Sequence, residues 1–326
     1  MESIAAARPA DSGPLPRYAR IYVAGHTGLV GSAVLRALKG RGYEDLVVRT
    51  SKQLDLTDQA TTRAFFTEEK PEVVVLAAAR VGGIMANWEY PYEFIQQNLA
   101  IELNVIHEAY RSGVRRLVFL GSSCIYPRMA SQPLKEEYLL TGPLEETNRP
   151  YALAKIAGIE LCRSLNRQYG TDYVCLMPTN LYGPGDNFEL ETSHVVPALI
   201  RKYHEAKSTG ALVTLWGTGT PRRELMHVDD LAAAVCMFVE GANWSAVPDA
   251  LVNIGTGSDA TIAELAETVR RVVGFDGETA WDITKPDGTP QKLLDVSRAR
   301  TLGWEAKIGL EEGLRHAYDW FLHSYA

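Results

Sequence analysis

The residues best suited to chemistry lie in two short segments, 121–127 (GSSCIYP) and 151–155 (YALAK). In the second segment a tyrosine and a lysine are spaced so that they share one face of a helix. An ammonium group near a phenol stabilises phenolate, so Lys155 is expected to lower the pKa of Tyr151 from its ordinary value of about 10. Such a tyrosine could exchange a proton with a sugar or alcohol oxygen near neutral pH, and Ser122 could hydrogen-bond the same oxygen.

The first segment also contains Cys124, one of four cysteines in the chain. A lone cysteine is usually a small buried apolar residue, and we interpret Cys162, Cys175 and Cys236 in that way. Taken alone, Cys124 has the same interpretation. None of the four has the spacing of a disulfide framework or a zinc site. We therefore expect no metal, and a reducing compartment, the cytoplasm.

The elements that must position these residues alternate between strand and helix patterns. Amphipathic stretches of helical length lie at 31–42 and 92–113. Continuous apolar runs predict strands buried on both faces at 20–25, 45–50, 72–79, 115–121 and 172–178. Buried strands separated by helices indicate an α/β fold with a parallel, doubly wound sheet.

The first predicted strand runs into a glycine-rich turn composed of Gly25, His26, Thr27, Gly28, Leu29, Val30 and Gly31. Its GxxGxxG spacing is a variant of the dinucleotide-binding fingerprint, and it lies in the required context, after a strand and at the start of a helix. The glycines permit a tight turn and let backbone N–H groups approach a pyrophosphate. An ordinary glycine turn is the alternative interpretation.

Two residues near the second strand bear on the cofactor. In dinucleotide-binding domains that prefer NAD, the second strand usually ends in an acidic residue that binds the ribose 2′-hydroxyl. Arg49 stands at that position here, and an arginine suits the 2′-phosphate of NADP. We therefore expect NADP(H). Asp55 could reach the adenine amino group or could instead be a helix N-terminal carboxylate, and both interpretations stay open.

After Pro178 the strand–helix alternation breaks. A loop at 179–188 precedes a helix at 195–207 and a short strand at 212–217; a helix at 229–241 and a strand at 250–255 are predicted to return to the main sheet, and a helix follows at 261–274. We expect a Rossmann-type sheet with a smaller C-terminal substrate-binding domain. The predicted divisions are a disordered tail (1–17), an NADP-binding domain (18–180 with 225–256) and a substrate domain (181–224 and 257–324).

Composition narrows the class of protein further. The chain has 326 residues, of which 46% are hydrophobic, enough for one large domain or two modest ones. Its formal net charge of -7 argues against non-specific binding to nucleic acid or to an anionic membrane. The longest apolar run, 231–239, is too short to span a bilayer.

Beyond these patterns, several segments resemble the GDP-L-fucose synthase family of the extended short-chain dehydrogenase/reductase superfamily. The resemblance extends from about residue 20 to about residue 322. The segments are GHTGLVGS, AAARVGGIMAN, NVIHEAY, LGSSCIYP, PTNLYGPGDNF, SHVVPALIRKYHEA, LWGTGTPRRELMHVDD and KPDGTPQKLLD. It implies an enzyme that epimerises GDP-4-keto-6-deoxy-D-mannose at C3 and C5 and then reduces C4 with NADPH.

The resemblance assigns roles to individual residues. Cys124 is implied as the base and His194 as the acid of the epimerisation, and the ordinary pKa values of thiol and imidazole suit proton transfer near neutral pH. Ser122, Tyr151 and Lys155 are implied as the reductase residues. The positions implied to contact the cofactor, besides the glycine-rich turn, Tyr151, Lys155 and His194, are Ala77, Ala78, Pro178, Asn180 and Leu181. Those implied to bind the GDP-sugar are Lys202, Trp216, Arg223 and Lys292.

Two positions depart from the family pattern. Thr27 stands where members commonly have an arginine expected to contact the 2′-phosphate, which weakens the case for a strong NADP preference. Lys202 stands where some members have arginine, and a lysine cannot form the bidentate fork to a phosphate. By analogy within the superfamily, the helix of Tyr151 and the preceding helix are expected to form a homodimer.

Two other functions remain open at this point. A nucleotide-sugar 4-epimerase or dehydratase with bound NAD would use Ser122, Tyr151 and Lys155 but would not need Cys124 and His194. An acidic residue in place of Arg49 would have favoured it. A catalytically silent NADP-binding protein is the third interpretation, and loss of Tyr151 or Lys155 would have favoured that.

Overall fold

A computed structural model describes residues 15–190, 192–241, 247–285, 287 and 289–325. The strands in these ranges are β1 (Ile21–Ala24), β2 (Leu46–Val47), β3 (Val73–Leu76), β4 (Arg116–Leu120), β5 (Asp172–Pro178), β6 (Asn180–Tyr182), β7 (Val213–Trp216), β8 (Arg222–Arg223), β9 (Leu225–His227), β10 (Leu251–Ile254), β11 (Ala260–Thr261), β12 (Thr279–Asp282) and β13 (Gln291–Lys292).

The helices in the same ranges are α1 (Leu29–Gly40), α2 (Gln59–Glu69), α3 (Ile84–Glu89), α4 (Pro91–Arg111), α5 (Arg149–Tyr169), α6 (Val195–Thr209), α7 (Val228–Glu240), α8 (Ile262–Val273), α9 (Ser297–Thr301) and α10 (Leu310–Ser324). None of them is long and apolar enough to cross a lipid bilayer.

Six parallel strands form the main sheet in the order β10-β5-β4-β3-β1-β2. This confirms the predicted parallel α/β sheet, and the returning strand, β10, pairs with β5 as expected. β2 is shorter than the predicted run, because it is the edge strand and pairs only with the first two residues of β1. Arg49 therefore lies just beyond the strand rather than in it.

Alternate residues of each strand enter two apolar cores, one on each face of the sheet. Ile21 and Val23 of β1 pack with α1 and α7, whereas Tyr22 and Ala24 pack with α2, α4 and α5. Successive strand residues point to opposite faces, so a strand covered by helices on both sides must be apolar throughout. That is why the strands appear in the sequence as continuous apolar runs.

A third apolar core joins α6, α8 and α10 with β7. Three small sheets, β11-β8-β13, β12-β7 and β6-β9, accompany it. We propose on this basis the division into 18–180 with 225–256 and 181–224 with 257–324. Of the expected tail, residues 1–14 lie outside the described residues. Leu15 is buried in the core, and Arg17 pairs with Glu240 at 2.7 Å, so the described end of that segment packs on the protein.

The smaller set of helices contains a well-formed cap at α8. The hydroxyl of Thr261 accepts a hydrogen bond from the Glu264 N–H at 3.0 Å, and the Glu264 carboxylate accepts one from the Thr261 N–H at 2.8 Å. Thr261 also belongs to β11, which pairs with the strand that carries Arg223. The cap therefore fixes both the start of a helix and one side of a small sheet.

We predict that Thr261→Ala lowers the free energy of unfolding by about 1 kcal/mol, because the Glu264 N–H in the first turn of α8 loses its acceptor. Thr268→Ala is the matched control: that exposed hydroxyl only donates to the Glu264 carbonyl oxygen within the helix, at 2.8 Å, and its loss should change stability by less than about 0.5 kcal/mol. Urea denaturation of both variants measures the difference. Equal losses would show that the cap has no special role.

Candidate active site

The glycine-rich turn after β1 is built so closely that side chains are excluded from it. Gly25 has φ +83, and a Cβ atom there would lie 2.7 Å from the Ala78 nitrogen. At Gly31 a Cβ atom would lie 2.1 Å from the Gly25 oxygen. Gly28, which precedes α1, donates its N–H to that same oxygen at 3.1 Å. The turn thus brings the N-terminus of α1 to the end of β3, a geometry suited to a pyrophosphate.

A buried polar atom in this turn lacks a hydrogen-bond partner that a bound ligand could supply. The Nδ1 atom of His26 is inaccessible to water and has no hydrogen-bond partner among the described residues. Buried polar atoms are normally paired. Thr27, next to it, is exposed. The glycine cradle and this unpaired nitrogen together fit a dinucleotide.

Arg49 lies at the sheet edge with a partner of its own. Its guanidinium pairs with the Glu69 carboxylate, donates to the Val48 carbonyl oxygen at 2.8 Å and lies 5.8 Å from the centre of the Phe65 ring. A 2′-phosphate would have to compete with Glu69 for this cation. Asp55 accepts from the N–H and hydroxyl of Thr57, at 2.9 and 2.7 Å, so it already stabilises a local turn.

The segment after β4 forms a short 3₁₀ turn that brings Ser122 and Cys124 together. The hydroxyl oxygen of Ser122 accepts a long hydrogen bond, 3.4 Å, from the Cys124 N–H. Cys124 retains 7% exposure, whereas Cys162, Cys175 and Cys236 retain none. Burial raises the pKa of the Cys124 thiol, and the nearby Lys292 cation opposes that rise.

Tyr151 and Lys155 lie in the first turns of α5, with the Lys155 Nζ atom 5.7 Å from the centre of the Tyr151 ring. Phe94 meets that ring edge-on at 6.3 Å. The expectation that Lys155 lowers the pKa of Tyr151 is not met here: burial raises that pKa well above the ordinary value, and a negative charge on Cys124 or Glu102 acts in the same direction. Tyr151 is therefore a protonated phenol at neutral pH.

Lys155 has a partner that sequence reasoning missed. Its Nζ atom lies 3.1 Å from the Oε1 atom of Glu102, and the two side chains retain 2% and 1% exposure. Burial raises the pKa of Glu102 to about 7, with Lys155 opposing the shift. The available signal was an acidic residue on the apolar face of α4, in line with the buried Phe94 and Ile106.

His194 lies immediately before α6, and its carbonyl oxygen accepts from the Ala198 N–H at 3.1 Å. His194 is exposed, but the surrounding protein partly desolvates its ring. This desolvation and, to a smaller extent, the Lys292 cation lower the pKa of His194. Lys292 acts on both Cys124 and His194, so these three groups belong to one electrostatic site. The charge of Lys292 thus influences both residues that the resemblance implies for epimerisation.

The remaining cationic and aromatic positions form two groups. Arg223 and Lys292 are paired residues of β8 and β13. Lys202 donates to the Thr214 carbonyl oxygen at 3.2 Å, and its Nζ atom lies 6.0 Å from the ring of the exposed Trp216. Asp287 links the groups: it accepts from the Thr218 N–H at 2.9 Å, just beyond Trp216, and its charge acts on Arg223.

The other positions implied to contact the cofactor follow the same edge of the sheet. Ala77 and Ala78 come directly after β3, next to Gly25. Pro178 is the last residue of β5, and β6 begins two residues later with Asn180 and Leu181. The Asn180 side-chain amide donates to the Glu224 carbonyl oxygen at 3.0 Å, which fixes this segment beside β9.

Comparisons with known proteins agree with this geometry. The model of the NAD dependent epimerase/dehydratase family matches residues 21–255. The chain is 56% identical to GDP-L-fucose synthase 1 of Arabidopsis thaliana, covering 93% of each chain. It is 54% identical to the GDP-L-fucose synthase of Escherichia coli, covering 94% of this chain and 97% of that protein.

Among solved structures, a GDP-mannoheptose C4 reductase from Campylobacter jejuni with NADP bound superposes with a TM-score of 0.87. It is 40% identical and covers 94% of this chain and 99% of its own. These likenesses extend over nearly the whole chain and include the glycine-rich turn, the Ser122 turn and the start of α5. The chain belongs to the NAD dependent epimerase/dehydratase family and, within it, to the group of the GDP-L-fucose synthases.

Proposed function

We propose that this protein converts GDP-4-keto-6-deoxy-D-mannose to GDP-L-fucose, by epimerisation at C3 and C5 and reduction of the C4 ketone with NADPH. The observation that carries the proposal is that the charge of Lys292 acts on both Cys124 and His194, and that Cys124 is hydrogen-bonded within the Ser122 turn. A reductase alone would need no second acid–base pair. The relatives named GDP-L-fucose synthase support the substrate.

The cofactor in this proposal is NADP(H), held by the glycine-rich turn at its pyrophosphate, by Arg49 at its 2′-phosphate, and by Asn180 and Leu181 at its nicotinamide. When bound, it supplies the hydride that is delivered to C4. The excluded Cβ positions at Gly25 and Gly31 support the first contact. The Asp55 carboxylate already accepts from Thr57 in a local turn, so the adenine amino group would have to compete with Thr57 for it.

Epimerisation relies on the acidity of protons next to a ketone. Cys124 removes a proton from the sugar carbon, and His194 returns one on the opposite face. Burial favours an uncharged thiol and an uncharged imidazole in this pair. The reactive thiolate and imidazolium together hold the same number of protons as the uncharged pair, so the reactive form arises by redistribution of one proton. His194 is exposed, so the proton that it returns to carbon is one exchanged with solvent. Lys292 stabilises the thiolate as it forms.

The enolate that results places negative charge on O4. The Ser122 hydroxyl and the Tyr151 phenol are the donors that hold it, as in an oxyanion hole. In the reduction Tyr151 gives its proton to O4, which is consistent with a pKa raised by burial. The Lys155 ammonium then balances the phenolate that remains. The GDP moiety is assigned to Lys202, Trp216, Arg223 and Lys292, where cations meet the diphosphate.

We predict that turnover of GDP-4-keto-6-deoxymannose with NADPH in D2O gives GDP-fucose labelled at C3 and C5, as read by NMR. Cys124→Ser and His194→Asn should lower incorporation at least about a hundredfold, because each removes one member of the acid–base pair. Cys236→Ala, a buried thiol on α7, is the control and should retain it. Tyr151→Phe should instead lower the C4 reduction.

Other outcomes of the labelling experiment distinguish the alternatives. Reduction with no deuterium on carbon would make the protein a C4 reductase and remove the role of Cys124 and His194. Interconversion at C4 with bound NAD and no net use of NADPH would indicate a 4-epimerase. No turnover of the sugar by a protein that binds NADPH would indicate a silent member of the family.

The pairing of Arg49 with Glu69 generates a prediction about cofactor choice. Arg49→Ala should raise the KM for NADPH about tenfold and leave that for NADH unchanged, because an ionic hydrogen bond to the 2′-phosphate is lost. Glu69→Gln should lower the KM for NADPH, since it releases the guanidinium. Arg63→Ala, an arginine of α2 that pairs with Glu108 at 3.0 Å, is the control. Equal changes for both cofactors in Arg49→Ala would contradict the assignment.

We further propose that the protein is a homodimer that associates through α4 and α5. These helices pack on each other and expose Leu99, Leu103 and Leu153 to solvent. Leu99 and Leu103 are one turn apart on α4, so they form a continuous apolar stripe. Large exposed apolar patches in soluble domains commonly mark an interface.

Leu103→Glu and Leu153→Glu should each convert the dimer to a monomer, because a carboxylate would be buried against an apolar surface. Light scattering after size exclusion measures the mass. Leu322→Glu, which changes an exposed leucine of α10, should leave the mass unchanged. A wild-type protein that elutes as a monomer would remove the proposal.

The mechanism also bears on location. It requires a reduced thiol at Cys124, and all four cysteines are free in the structure. A reducing compartment preserves such thiols, so we propose the cytoplasm.

A further inference from the structure

The ion pair between Lys155 and Glu102 is buried in the protein interior, where ion pairs are uncommon. Both side chains are almost inaccessible, and the Nζ and Oε1 atoms lie 3.1 Å apart. Neither oxygen of Glu102 accepts a well-aligned hydrogen bond from the described residues. Burying two charges costs more than an ion pair of this kind returns, and apolar residues of similar size would usually be as stable. Stability alone therefore does not account for Glu102.

The fold makes specific room for this carboxylate. Gly158 lies one turn after Lys155 on α5, and a Cβ atom there would lie 2.9 Å from the Oε2 atom of Glu102 and 2.5 Å from the Phe119 ring. A side chain at this point would push the carboxylate away from Lys155. The ring of Phe119 also lies 4.8 Å from the Lys155 Nζ atom and covers it. The absence of a side chain at Gly158 of α5 thus leaves the space that the Glu102 carboxylate of α4 occupies.

We propose that Glu102 is a positioning residue for the proton donor of the reduction: its carboxylate holds the Lys155 ammonium beside the Tyr151 phenol and supplies the negative charge that keeps the proton on that phenol. This inference rests on the proposed function. Glu102 does not touch the reacting atoms. It acts through Lys155, and through its charge on Tyr151.

The ionisable groups around Glu102 come from two elements. Lys155, Tyr151 and Cys162 belong to α5 and interact electrostatically with Glu102, whereas Cys124, in the turn after β4, acts on Tyr151. Lys155 is the cation of this set, and it opposes the effect of burial on Glu102. Phe94 and Phe119 complete the surroundings with apolar rings. The charge of Glu102 is therefore poorly screened.

The environment of Glu102 determines whether its charge raises or lowers the pKa of Tyr151. The Glu102 carboxylate raises the pKa of Tyr151. Burial raises the pKa of Glu102 itself to about 7, so the carboxylate becomes charged as the pH passes through neutrality. Above that point its charge adds to the effect of burial, which is the main reason that Tyr151 stays protonated. Removing the charge must lower the pKa of Tyr151, so the reduction should lose its proton donor at a lower pH.

The experiment is the pH profile of kcat for reduction of GDP-4-keto-6-deoxymannose by NADPH. In Glu102→Gln the alkaline limb should move down by about one pH unit, with KM for the sugar unchanged. Glu108→Gln is the matched control. It removes a buried carboxylate from the same helix, one that pairs with Arg63 and not with the site, and it should leave the limb in place. A limb that does not move in Glu102→Gln overturns the proposal.

Glu102→Asp separates charge from position. The shorter side chain keeps the negative charge but draws it back from Lys155. We expect its alkaline limb to stay close to that of the wild type, while kcat falls because the ammonium is misplaced. An alkaline limb shifted as far as that of Glu102→Gln would overturn the role of the charge. The same variant keeps the test available if Glu102→Gln fails to fold.

A second readout needs no turnover. The near-ultraviolet phenolate absorbance of Tyr151 is obtained as the difference between each protein and its Tyr151→Phe counterpart, titrated with base. Phenolate should appear about one pH unit lower in the Glu102→Gln background. If the wild type does not turn over the GDP-sugar, the proposed function fails, and this titration still decides the role of Glu102. An unchanged titration overturns that role.

Discussion

The site depends on one geometric constraint: the parallel strands of the main sheet all end at the same edge. β1, β3, β4 and β5 run side by side, so the segments that follow them must meet there. The glycine-rich turn, Ala77 and Ala78, the Ser122 turn and the Asn180 segment are the segments that follow these four strands. The order of the strands thereby brings together residues that are far apart in the chain. The first of these turns is so tightly packed that a Cβ atom at Gly25 or Gly31 would clash with neighbouring backbone atoms.

Burial at that edge has opposite consequences for different groups. It raises the pKa of Cys124 and of Tyr151 and lowers that of His194. In the proposed mechanism the raised pKa suits Tyr151 as a proton donor, whereas it disfavours Cys124 as a base. The Lys292 cation opposes the rise at Cys124. The Lys155 ammonium lies 5.7 Å from the centre of the Tyr151 ring, where it balances the phenolate in the proposed reduction. The chemistry follows from where the fold sets each cation, because desolvation acts on every group there.

Much of the fold could be predicted because buried parallel strands and amphipathic helices leave periodic patterns. The runs at 72–79, 115–121 and 172–178 correspond to β3, β4 and β5, and the returning strand was assigned to the correct sheet. The direction of the Tyr151 pKa was wrong, since spacing reveals a neighbouring lysine but not the desolvation of the ring. The partners of Arg49 and Lys155 were also missed. Glu69 and Glu102 lie on other helices, and their contacts depend on packing that no local pattern encodes.

The C-terminal part of the chain supplies the cation that acts on Cys124. Lys292 lies on β13, and its position is fixed from both directions. β13 pairs with β8, and the next residue but one, Leu294, donates its N–H to the Glu224 carboxylate at 2.8 Å. Glu224 is fully buried and also accepts from the Gly257 N–H at 2.7 Å. A rigid carboxylate anchor at the junction thus ties the strand that carries Lys292 to the segment after β10. Any displacement of β13 would therefore change the field at both Cys124 and His194, because the Lys292 charge acts on each of them.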